Sequence, residues 1–153
     1  MVCIGVVDTT FSRVDMAKYA IEVLRKKVPA LKVKRYTVPG IKDVAVAAKR
    51  LLDEGCDGVI TLGWVGPTMT DKFSYLAYSI ALQMLQINYG KHIIDVTVHE
   101  DETDDPRKLK EIAVQRAKEH AENLALLILK GPQALTGLAG TGQRQGWPDV
   151  GPL

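Results

Sequence analysis

Only two of the 153 residues are cysteine, and neither stands at metal-ligand spacing from a histidine. That excludes a cysteine-zinc site and a disulfide framework. Cys3 and Cys56 read as small buried residues of a reduced protein, in or beside strands. No apolar run approaches the ~20 residues that cross a bilayer. Met1 leads straight into a strand, so the sequence predicts no signal peptide and a cytoplasmic location. Charge of one sign is scarce too. Twenty basic against eighteen acidic side chains leave a formal net charge of +2, which argues for no nucleic-acid partner. The clusters Arg25-Lys26-Lys27 and Lys32-Val33-Lys34-Arg35 read as solvated surface, the first at a helix end where cations suit the dipole. What is present is ordinary for one globular domain with a real core: 46% apolar and 25% charged residues.

Apolar strands alternate with amphipathic helices four times. Val2–Val7 reads as the first strand. Ser12 and Asp15 form a capping-box-like pair before a helix whose buried stripe is Val14, Ala17, Ile21, Leu24 and Val28. A second strand spans Lys32 to Val38 and stops at Pro39-Gly40. The next helix turns Val44, Ala48, Leu51 and Leu52 inward and ends at Gly55. The third strand covers Gly58–Leu62 and the fourth His92–Val98. Asp105-Pro106 then supplies a cap and a first-turn proline for a helix running to Lys130. This pattern predicts an α/β fold: a flavodoxin-like three-layer αβα sandwich on a four-stranded parallel sheet, order 2-1-3-4. Residues 1–131 form the single domain. Residues 132–153 are a Gly/Pro-rich tail, which could be flexible or docked.

A helix over residues 71–88 carries two apolar stripes. One is Phe73, Leu76, Ile80, Met84 and Ile87; the other is Tyr75, Tyr78, Leu82, Leu85 and Tyr89. One stripe suffices to cover the sheet. The second predicts a subunit contact, with Tyr78 and Leu82 expected on the outward face. Ahead of this helix, the stretch Gly63-Trp64-Val65-Gly66-Pro67-Thr68-Met69-Thr70-Asp71-Lys72 reads as a loop at the carboxyl end of a central strand. α/β folds bind ligands there, at the switch point facing Thr9-Thr10-Phe11. A tryptophan, two threonines and a methionine suit a flat polar ring. Gly63, Gly66 and Pro67 let the backbone approach it.

Several of these parts occur together in a known order. Val38-Pro39-Gly40, Asp43, Ala47-Ala48-Lys49, the segment DGVITLG, a threonine-bearing loop and Phe11 after the first strand resemble the lumazine synthase superfamily. The closest resemblance is to its archaeal branch, the archaeal-type riboflavin synthases, over nearly the whole chain. In lumazine synthases the loop ends in a proton-carrying histidine; here Lys72 stands in that place. The loop's usual Arg-Gly pair, near the phosphate, is Pro67-Thr68. These departures favour a substrate without phosphate, and so riboflavin synthase over lumazine synthase. A non-catalytic flavin or pteridine carrier on the same fold is a further alternative.

The resemblance implies a homopentamer with sites between subunits, 6,7-dimethyl-8-ribityllumazine as substrate, no organic cofactor, and an association with Mg²⁺. No dedicated metal ligands stand out, although the acidic run 100–105 could attract a cation. Within that frame Phe11 is expected to stack on a pteridine and Trp64 to sandwich a second ring. Pro39, Gly40 and Asp43 belong to the ribityl-holding part and Thr68, Met69 and Thr70 to the ring edge, and Thr10 is a further substrate-binding candidate. Thr70 is also a candidate helix cap. Lys72, beside Asp71, is expected to stabilise the anion left when the 7-methyl group loses a proton. His99, in an acidic loop, is expected to be protonated and to move protons. Arg116 aligns with a motif arginine that lumazine synthases supply from the neighbouring subunit. His120 is a weaker candidate, and His92 has no expected role.

Overall fold

Four strands, β1 (Cys3–Thr9), β2 (Lys32–Val38), β3 (Gly58–Val65) and β4 (Ile93–His99), pair in parallel in the order β2-β1-β3-β4. The computed structural model describes residues 1–153. Between the strands run α1 (Met16–Lys27), α2 (Val44–Asp53) and α3 (Met69–Tyr89), and α4 (Pro106–Lys130) follows β4. Strand alternation divides the core into two layers. Ile4, Val6, Ile60, Leu62, Trp64, Val96 and Val98 face α1 and α4, where Ala17, Ala20, Ala113, Ala117 and Ala121 let the helices pack closely. Val7, Val59, Val65 and Ile93 face α2 and α3. The three-layer architecture and strand order are those the pattern predicts.

Several local expectations change. Ser12 does not cap α1. Its hydroxyl pairs with Thr9 at 2.9 Å, and Asp15 is the cap, accepting from the Lys18 amide at 3.3 Å. β3 runs on to Val65, because its ladder with β4 continues through Trp64↔Val98 and Val65↔His99. The loop before α3 is therefore short. Thr68, not Thr70, caps α3, in a reciprocal capping box with Asp71. Gly66 serves this box rather than a ligand: a Cβ there would lie 2.4 Å from Asp71 Oδ2. At Gly63 a Cβ would come 3.1 Å from Ile41, so its missing side chain is likewise filled from within.

The two stripes of α3 are reversed. Tyr78 and Leu82 are buried against the sheet, with Tyr75, Leu85 and Tyr89 packed beside them. Phe73, Leu76, Ile80, Met84 and Ile87 are the outward stripe, each more than half exposed. The Tyr78 hydroxyl decides the orientation. It reaches Asp95 on β4, which also accepts from Thr61 and Thr97. A half-buried carboxylate with three hydroxyl donors rewards that face of the helix, whereas Phe73 and Ile80 bring no polar partner.

The tail makes two short 3-10 turns, Gly131–Gln133 and Thr136–Leu138, and then returns to α4. There the Gly146 amide donates to Glu119 at 2.7 Å, and the half-buried Trp147 ring lies over Arg116. Gly146 and Trp147 are thus seated on α4 of the same chain, while Leu138 and Val150 stay exposed.

Candidate active site

The ends of β1 and β2 are tied together before the site begins. The Thr10 amide donates to Val38 O at 2.9 Å and the Phe11 amide to Pro39 O at 3.1 Å; the Thr10 hydroxyl adds a bond to Pro39 O at 3.2 Å. This brings Phe11 beside the 3-10 turn Ile41–Asp43, which the Asp43 amide closes on Gly40 O. Across from them stands the first turn of α3. The result is an open crevice of about 400 Å³ lined by Phe11, Gly40, Lys42, Asp43, Thr70 and Ser74, among others. It lies at the carboxyl end of the sheet between β1 and β3, the switch point of this topology.

Phe11 is 55% exposed, an aromatic ring held open by a fixed backbone. The Asp43 carboxylate makes no capping bond and is exposed, free to accept hydroxyls. Lys42 and Ser74 are crevice residues that sequence reasoning missed. Ser74 lies one turn beyond Thr70 on α3, so helical spacing from Thr70 would have found it. Trp64 borders the crevice, but its side chain is 2% exposed in the α1/α4 core and its indole N–H donates to Glu100. It offers no open face to a second ring, because the extended β3 turns it inward. Thr68 and Asp71 spend their side chains on each other. Met69 is exposed outside the crevice.

Lys72 and His99, 27 residues apart, meet beyond the far side of α3's first turn. The Lys72 ammonium lies 3.0 Å from His99 Nδ1 and 2.8 Å from Asp101 Oδ1. Tyr75 presents an edge to the imidazole, with ring centroids 4.8 Å apart. The acidic loop does not hold His99 protonated. Burial, then the Lys72 charge, push its pKa below the ordinary 6.5, outweighing Glu102 and Asp101. A neutral imidazole can accept the lysine's hydrogen bond at Nδ1. Lys72 in turn holds the Asp101 carboxyl below its usual range.

Arg116 is neither a surface residue nor free for a neighbour. It is 8% exposed and spends both terminal nitrogens inward, on Thr97 O at 2.8 Å and on Glu102 at 2.7 and 2.9 Å. Burial works to raise the Glu102 carboxyl, but the Arg116 fork wins and holds it below its usual value. In the acidic run, Glu100 is taken by Arg13 and Trp64, Asp101 by Lys72 and Glu102 by Arg116. Asp105 caps α4. No group of three His, Cys, Asp or Glu side chains is arranged to hold a metal ion.

A four-stranded α/β layer with a ring-sized crevice at its switch point is the architecture of a small-molecule-binding protein, and the comparisons narrow it. The family model described as 6,7-dimethyl-8-ribityllumazine synthase matches residues 1–130, and the chain belongs to that family. Curated relatives carry a different name within it. A riboflavin synthase of Aeropyrum pernix is 60% identical over 99% of this chain and 97% of its own. One from Archaeoglobus fulgidus is 55% identical over 98% and 97%. One from Methanothermobacter thermautotrophicus is 48% identical over the full length of both.

Proposed function

We propose that this protein is a riboflavin synthase of riboflavin biosynthesis. It dismutates two molecules of 6,7-dimethyl-8-ribityllumazine into one riboflavin and one 5-amino-6-(D-ribitylamino)uracil, a four-carbon unit passing between them. The observation that carries this reading is the Lys72–His99 contact, a cation against a neutral imidazole, separated by the first turn of α3 from a crevice headed by an open aromatic ring. Loss of a 7-methyl proton leaves an anion delocalised over the pteridine. With Nδ1 accepting from Lys72, neutral His99 carries its own proton on Nε2; it takes the methyl proton at Nδ1 when the Lys72 ammonium turns from it to the anion, whose energy the cation lowers. Phe11 stacks on the ring, Thr70 lines its edge, and Gly40 and Asp43 hold ribityl hydroxyls. The names of the relatives support the same reaction.

A crevice of about 400 Å³ suits one substrate, and the reaction needs two. The second ring is then completed at a neighbouring subunit, in a homopentamer built on the outward stripe of α3. Holding two rings together supplies much of the rate by proximity. No organic cofactor takes part, and the enzyme works in the cytoplasm.

The rival reading is lumazine synthase, which the matched family model names. Two incubations separate them. Lumazine alone should give riboflavin fluorescence; the ribitylaminouracil with a phosphorylated four-carbon ketose should give no lumazine. The opposite pair of results makes the protein a lumazine synthase. Tight binding with neither product makes it a carrier.

A further inference from the structure

The tail reaches the candidate site through a line of contacts that neither its composition nor the family match accounts for. Trp147 places its ring 5.9 Å from the Arg116 guanidinium carbon. Gly146, at φ +78°, sits so close that a Cβ would come 2.8 Å from Arg116 Cβ and Nε. The tail backbone is thus seated on the arginine itself. Arg116 grips Glu102 with a two-pronged contact, and Glu102 Oε2 accepts the His99 amide at 2.8 Å. The family model ends at residue 130, whereas the alignments with riboflavin synthases cover 98–100% of the chain and so reach the tail.

We propose that Gly146-Trp147 is a positioning segment: it seats Arg116, so that Glu102 holds the end of β4 and keeps the His99 ring against Lys72. A long arginine has many rotamers, and a buried fork is geometrically useful only when one is selected. The Trp147 ring and the Gly146 backbone close the space into which the guanidinium would otherwise swing. The effect on turnover rests on the reading of His99 as the proton carrier; the positioning itself does not.

The test follows the His99 ring by NMR across pH in the assembled protein, with the three histidines assigned by single substitution. In Trp147→Ala the His99 midpoint should climb toward the ordinary 6.5, because a loosened corner admits water to the imidazole. The titratable groups around it, Lys72 and Tyr75 on α3, Asp95 on β4, Asp101 and Glu102 beyond β4, and Arg116 on α4, are all retained, so a shift reports movement rather than a lost charge. kcat should fall by between about 3- and 100-fold with KM little changed, the range expected for a misplaced group. Trp147→Phe should restore both. If Trp147→Ala does not fold, Glu119→Ala releases the Gly146 amide more gently and is judged by the same curve. An unmoved His99 curve in a folded variant overturns the proposal, whatever turnover does. A shifted curve supports it even if no riboflavin forms, in which case only the catalytic reading of His99 is lost.

Discussion

Phe11 leaves more than half its surface in water although β1 and β2 fix its backbone on both sides. Phe11→Ala should weaken lumazine binding by about 1 kcal/mol or more while the fold persists; fluorescence titration measures it. Lys72→Met should reduce turnover at least ~10-fold, about 1.4 kcal/mol of barrier, with binding little changed. Exchange of the 7-methyl protons with deuterated water reads the same step without a second substrate. Since His99 titrates below 6.5, the acid limb of the kcat profile should also lie below that pH and vanish in His99→Asn. His120 offers a test of stability alone. Burial, then Arg116, push its imidazole down to about 4, with Glu119 opposing. The unfolded chain therefore takes the proton first as pH falls. The stability this residue sustains above pH 6.5 is lost on the way down to about pH 4, by roughly 3 kcal/mol at most. Melting temperatures between pH 7 and 4.5 should fall less steeply in His120→Asn than in the parent.

At the scale of elements, α3 carries both the exposed apolar stripe and part of the crevice. Its outward stripe runs from Phe73 to Ile87, and its first two turns supply Thr70 and Ser74 to the crevice and Lys72 to His99. Ile80→Glu with Met84→Glu should split the assembly while leaving each subunit folded, since a charge cannot stay in a dry contact without costing several kcal/mol. Light scattering checks the size and circular dichroism the fold. The pair Tyr78→Glu and Leu82→Glu should instead unfold the chain. Hydrophobic period and turn residues made the four strands, the helices and the sheet order legible, because each is a local signal. That α3 has two apolar faces was legible as well. Which one the sheet takes was not, since it hangs on Asp95 meeting Tyr78 from another element. Trp64 misled for a related reason. Whether a residue after a strand belongs to its ladder is set by the neighbouring strand, here β4. The Lys72–His99 contact spans 27 residues and could be guessed only as two separate candidates. Arg116 was expected to serve a neighbouring subunit, and its actual partners, Glu102 and the tail, are far from it in sequence.

The whole molecule carries one face that water should not see and one crevice too small for a reaction between two substrates. The proposed ring of subunits, in which each crevice is completed by the next, would answer both. On this account the split Ile80→Glu/Met84→Glu variant loses turnover along with assembly, and still binds one lumazine per subunit. The reaction itself is tested most directly by its stoichiometry. The purified protein is given 6,7-dimethyl-8-ribityllumazine as its only substrate, and the products are separated and counted. The account predicts that two lumazines disappear for each riboflavin formed, with one ribitylaminouracil released alongside. Lumazine left unconsumed, or riboflavin formed without the uracil, would contradict it.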